Sequence, residues 1–118
     1  MKYDSSTLHP PGPMLDVTVW PFGHADPTRT LPGKLDTGAD ISIIPPSLAD
    51  DLQLIPEDSV VMVSYDGTET ERTVYFVNLE IAGYKLECIE VVAAPRDNVL
   101  LGRDVLNQFN ITLKGKDL

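Results

Sequence analysis

Proline and glycine interrupt this chain so often, ten and eight times in 118 residues, that only short apolar segments survive between them. Residues 14–20 alternate as a strand does, with Leu15, Val17 and Val19 on one face and Asp16 and Thr18 on the other, until Pro21 ends the run. Residues 22–29, with Gly23, Asp26 and Pro27, read as a loop, and residues 30–35 as the returning strand. Ile41, Ile43 and Ile44 around Ser42 make a further strand stopped by Pro45 and Pro46, after which Ser47 is placed to cap a helical turn over 48–52. Residues 60–65 and 68–77 flank Asp66 and Gly67, a dipeptide typical of tight hairpins. Strands are predicted again over 78–82, 85–93 and 99–101, then a short helix over 104–109 and a last strand over 111–114. Many short strands with little helix predict an all-β, closed-barrel domain over residues 14–118. Residues 1–13, with Pro10, Pro11 and Pro13 around Gly12, read as a flexible arm.

The chain is long enough for one core and too short for two lobes. With 42% hydrophobic and 23% charged residues it has the composition of a globular protein. Its net charge of −9, with the basic residues scattered, argues against a nucleic-acid partner. Cys88 is the sole cysteine, so no intrachain disulfide forms, and within its apolar strand it is expected to be buried and inert. No apolar run approaches a membrane span and none resembles a signal sequence, so the expected setting is the cytoplasm, without a membrane partner. His9 and His24 lie in proline-containing loops away from any nucleophile signature, and two histidines do not make a metal site. Neither metal nor cofactor is expected.

Two stretches carry the chemistry. In the first, Leu35, Asp36, Thr37, Gly38, Ala39 and Asp40, an aspartate sits on a Thr-Gly turn after an apolar strand. Taken alone this is also what an ordinary turn looks like, its carboxylate satisfying nearby backbone donors. The second runs from Asn98 through Val99, Leu100, Leu101 and Gly102 to Arg103, and continues as Asp104, Val105 and Leu106. Together, in this order and spacing, they resemble the retroviral-type aspartic proteases, or retropepsins, with their bacterial and retrotransposon relatives, over about residues 14–114.

That resemblance implies an aspartic endopeptidase with Asp36 as the catalytic carboxylate. The chemistry needs two carboxylates sharing one proton, one activating water and one polarising the scissile carbonyl. A chain with a single such turn supplies half a site, which implies a homodimer whose two-fold axis brings the two Asp36 side chains together. By the same resemblance, Thr37 bonds across the axis and Gly38 approaches the bound peptide. Asp40 and Arg103 form a supporting ion pair, expected to be structural and buried. Gly102 packs beneath the catalytic turn, Leu100 lines the substrate pockets, and Asp66 and Gly67 sit at the tip of a mobile flap. Tyr65, beside that tip, reads either as a residue that stacks on substrate or as an exposed strand aromatic. The tip is more polar than in viral members, and the polar residues 115–118 depart from the terminal sheet that builds the family's dimer interface. The substrate is then a protein or flexible peptide. A noncatalytic dimerisation or peptide-binding module of the same fold is the alternative, and a processing domain of a larger polyprotein a third reading.

Overall fold

The computed structural model describes residues 2–4 and 12–114. Ten elements follow one another: β1 (Lys2–Asp4), β2 (Gly12–Pro21), β3 (Arg29–Leu35), β4 (Ser42–Ile44), α1 (Pro46–Asp51), β5 (Asp58–Val63), β6 (Glu69–Ile81), β7 (Tyr84–Ala93), β8 (Val99–Leu101) and α2 (Arg103–Lys114). The strands form one sheet in the order β1-β2-β3-β8-β4-β7-β6-β5, and a further pairing of β2 with β6 closes it. The closed ring is therefore β2-β3-β8-β4-β7-β6, with β1 and β5 attached outside it. Closure leaves the ring itself without edges.

β2 makes this possible by pairing with different neighbours along its length. One side faces β3 from Met14 to Val19, while the other faces β1 at its start (Tyr3↔Pro13) and β6 at its end (Val19↔Leu79). The alternation read from the sequence determines what goes inside: Val17 and Val19 are fully buried and Leu15 packs against the core. Ile44, Leu79, Val91, Val99 and Leu101 complete the interior from the other strands, and Leu48 of α1 and Leu52 just past its end cover it. Burying a side chain of this size contributes about 1.5–3 kcal/mol each. The barrel therefore rests on aliphatic packing.

Four expectations change. Residues 111–114 continue α2 instead of forming a strand. The β-branched Ile111 and Thr112 suggested a strand, yet no proline or glycine interrupts the chain between Gly102 and Gly115, so a helix begun at Arg103 has nothing to stop it. Ser47 is not the cap of α1: Pro45 takes that place in an extended conformation without a side-chain bond, and Pro46 opens the helix where its missing N–H costs nothing. The segments at 68–77 and 78–82 are one strand, β6, whose register with β7 shifts between Val77 and Leu79. Cys88 lies opposite that shift, exposed and at φ +56°, and its N–H donates to Asn78 Oδ1 at 3.0 Å, so it is not the buried thiol its apolar neighbours suggested.

Within residues 1–13, the described residues 2–4 and 12–13 are strand. Residues 1 and 5–11 of that arm, including His9, and the polar end 115–118 lie outside the described residues. Among the described residues no helix is long and apolar enough to cross a membrane.

Candidate active site

Two parallel strands deliver the Asp36 turn. β3 runs beside β8 with Leu35 opposite Leu101, and the pairing continues one step further as Asp36 N–H donates to the Leu101 carbonyl at 3.0 Å. The chain then turns: Ala39 N–H returns to the Asp36 carbonyl at 3.2 Å, and Gly38 N–H donates to Asp36 Oδ1 at 2.9 Å. One carboxylate oxygen is thus fixed by its own turn, as in the ordinary-turn reading, while Oδ2 has no hydrogen-bond partner among the described residues. The Asp36 side chain is half-buried; Thr37 and Gly38 are exposed.

Beneath the turn, Gly102 permits an approach that no other residue would. A Cβ there would stand 2.7 Å from the Ile41 carbonyl oxygen and 3.0 Å from that of Ala39, both backbone atoms that cannot swing away. The next N–H, of Arg103, donates to Ala39 O at 2.7 Å. Gly102 is thus packed closely beneath the Asp36 turn.

A polar knot reinforces this floor, and sequence reasoning missed it. Ser42 is buried; its hydroxyl donates to Asp104 Oδ1 at 2.8 Å and accepts from Gly102 N–H at 3.0 Å, while Ser42 N–H reaches Asp104 Oδ2 at 3.2 Å. Asp104 Oδ1 also accepts from Val105 N–H at 2.8 Å, in the first turn of α2, where a carboxylate is favoured by the helix dipole. A serine among isoleucines and an acid at a helix start were both visible in the sequence. Their partnership spans 62 positions, so nothing local announced it.

Asp40 and Arg103 are joined by an ion pair that is exposed, not buried. The two side chains are 81% and 55% exposed in the single chain, so water screens the pair and its contribution there falls to about 0–1 kcal/mol. Leu100 lies in β8 between Lys34 and Ile43 and is only 7% exposed, so it forms barrel wall.

The hairpin of β5 and β6 extends past the ring, with Val61 and Val63 exposed along it. Its tip is tightly organised: Ser64 N–H donates to Thr68 O and Gly67 N–H to Ser64 O, each at 3.0 Å. Asp66 Oδ1 accepts from the Ser64 hydroxyl at 2.6 Å and from Thr68 N–H at 2.9 Å. These bonds to the ionised form, that from Ser64 foremost, lower the Asp66 pKa to about 2. Gly67 has φ +83°, which a side chain would resist. Tyr65 projects fully into solvent beside it, which fits the exposed-aromatic reading in the single chain.

Arg96, unremarked in the sequence, belongs to the same neighbourhood. It is half-buried in the loop joining β7 to β8, where desolvation lowers its pKa and the charges of Asp36 and Asp97 oppose that shift. Asn98 holds its guanidinium: Nε donates to Asn98 O at 2.7 Å and Nη2 to Asn98 Oδ1 at 2.6 Å. His24 lies elsewhere, in a cleft of about 260 Å³ with Phe22, Ile55 and Phe76 that contains no residue of the Asp36 turn. Among the described residues no cluster of acidic, histidine or cysteine side chains could hold a metal ion.

Comparison with known proteins agrees with this geometry. A sequence model of the family described as aspartyl protease matches residues 22–105, which include both the Asp36 turn and the Gly102 floor. No curated protein matches the chain in sequence. Among solved structures, the solution structure of simian foamy virus (mac) protease is similar with a TM-score of 0.60 and 24% identity, over 82% of this chain and 94% of that one. The foamy viral protease–reverse transcriptase, solved with an RNA/DNA hybrid, is similar with a TM-score of 0.61 and 23% identity, over 84% of this chain and 12% of that one. At such identities the structural likeness shows the fold, the retroviral protease barrel. The matched family model places the chain in the aspartyl protease family, with the fold of the retroviral proteases.

Proposed function

We propose that the chain is an aspartic endopeptidase that acts as a homodimer and cleaves proteins or flexible peptides. The observation that carries this reading is the Asp36 turn. It occurs once per chain, it is bolted to β8 through Leu101 O, and it leaves Asp36 Oδ2 without a partner among the described residues. A second copy related by a two-fold axis supplies the missing carboxylate, and Thr37, exposed at the same turn, bonds across the axis. Two carboxylates held together share one proton, so the dyad titrates as a unit. The ionised member takes a proton from water, and the protonated one polarises the peptide carbonyl without a covalent intermediate. The β5–β6 hairpin serves as the flap, and the peptide lies extended beneath it with alternate side chains on either side.

Asp36→Asn tests this directly, because it keeps the shape and most hydrogen bonds while removing the ionisable group. Cleavage of unfolded protein substrates should disappear while folding and dimer formation, followed by sedimentation, persist. Cleavage retained by the Asn variant would leave a peptide-binding or dimerisation module of the same fold as the better reading.

A further inference from the structure

Arg96 stands half-buried in the loop that joins β7 to β8. The loop that carries it is fixed at both ends, by Ala94 N–H bonded to Ile44 O at 3.0 Å and by Val99 entering β8 opposite Gly33. Within it, Asn98 uses its main-chain and side-chain oxygens to occupy one edge of the guanidinium, the edge made by Nε and one N–H of Nη2. A guanidinium has five N–H donors in a rigid fork. Three remain, both on Nη1 and one on Nη2, and among the described residues no acceptor takes them. Two of the three, one on each Nη, form the end-on edge that receives a carboxylate through two parallel bonds.

The charge on that edge is also unspent. Asp36 is near enough to favour the charged form of Arg96, yet no ion pair joins them, and Asp97 beside it is exposed. A partly desolvated cation, held in orientation by Asn98 and offering a free bidentate edge within electrostatic reach of Asp36, can receive an anion of the substrate. In a chain of net charge −9 it provides a local attraction that the overall field opposes. The discrimination is therefore local to one substrate position and not a general affinity for acidic proteins.

We propose that Arg96, oriented by Asn98, binds a carboxylate side chain of the peptide substrate close to the scissile bond, so that the enzyme prefers Asp or Glu there over uncharged residues. This rests on the proteolytic reading above and names a substrate class for it. The shared chemistry is carboxylate recognition, and the substrate's α-carboxylate is its other source.

The test uses paired fluorogenic peptides that are identical except for Glu or Gln flanking the cut, each with a free and with an amidated C-terminus. For the parent, kcat/KM should favour the Glu peptide by tenfold or more whether or not the terminus is amidated. In Arg96→Gln the Glu/Gln ratio should fall to about one, and Arg96→Glu should instead favour a Lys peptide. An equal fall on both peptides with the ratio kept would make Arg96 structural and overturn the proposal. So would a preference abolished by amidation, which would transfer the role to the α-carboxylate. Binding of the labelled Glu and Gln peptides to Asp36→Asn, read by fluorescence anisotropy, keeps the question separate from catalysis: equal affinities would overturn the role of Arg96 even if no peptide were cleaved.

Discussion

At the scale of single residues, the Asp36 turn is held from below by contacts that small changes disturb. Gly102→Ala places a methyl carbon against the Ile41 and Ala39 carbonyls, and the strain should cost about 1–3 kcal/mol, measurable by denaturant unfolding. Ser42→Ala removes the hydroxyl that joins Gly102 N–H to Asp104 and leaves buried polar groups short of a partner, a loss of about 1–3 kcal/mol by the same measurement. Asp36 and Gly102 were legible, since each stands inside a contiguous motif of the sequence, whereas the pairing of Asp40 with Arg103 was implied only by the family resemblance. Ser42 with Asp104, and Arg96 with its Asn98 clamp, were not legible. The first is a contact across distant segments, and the second depends on which way a loop side chain is turned.

At the scale of elements, the tip of the β5–β6 hairpin depends on an acid that stays ionised under acidic conditions. The folded-state pKa of Asp66 is depressed from 3.8 to about 2, so its stabilising bonds are fully present above the unfolded value and are lost as pH falls through about 2. The Thr68 amide, followed by NMR, should keep its bonded chemical shift at pH 4 to 5 and lose it only well below that. Gly67→Val should impair cleavage of long peptides with the barrel intact, since φ +83° at the tip resists a β-branched residue. Cleavage unchanged in that variant would return the hairpin to an ordinary turn. Most strands were legible from period-two alternation between breakers, as in β2, where Val17 and Val19 face inward as read. The errors gathered where local preference met longer context. Ile111 and Thr112 favour a strand in isolation but extend a helix already begun, and the single strand β6 looked divided because a shifted register left Val77, Asn78 and Leu79 all buried in succession.

At the scale of the whole molecule, the proposed function has a closed barrel carry one half of a reaction centre that association completes. Asp40 and Arg103, exposed in the single chain, should reveal the difference between folding and association. Arg103→Ala should change the unfolding free energy of the isolated chain by no more than about 1 kcal/mol, yet weaken dimerisation in sedimentation if the partner covers the pair. The closed ring was legible only as a class, because which strand pairs with which, above all the return of β6 to β2, is a property of the assembled sheet. The central claim is that both carboxylates of the working site come from separate copies of Asp36. Co-refolding the parent with an equal amount of Asp36→Asn, so that subunits pair at random, tests it most directly. A shared site predicts that about a quarter of the activity of an all-parent sample at the same total concentration survives, since only parent–parent pairs hold two carboxylates. Survival of half, in proportion to the parent chains present, would show that each chain works alone and would contradict the account.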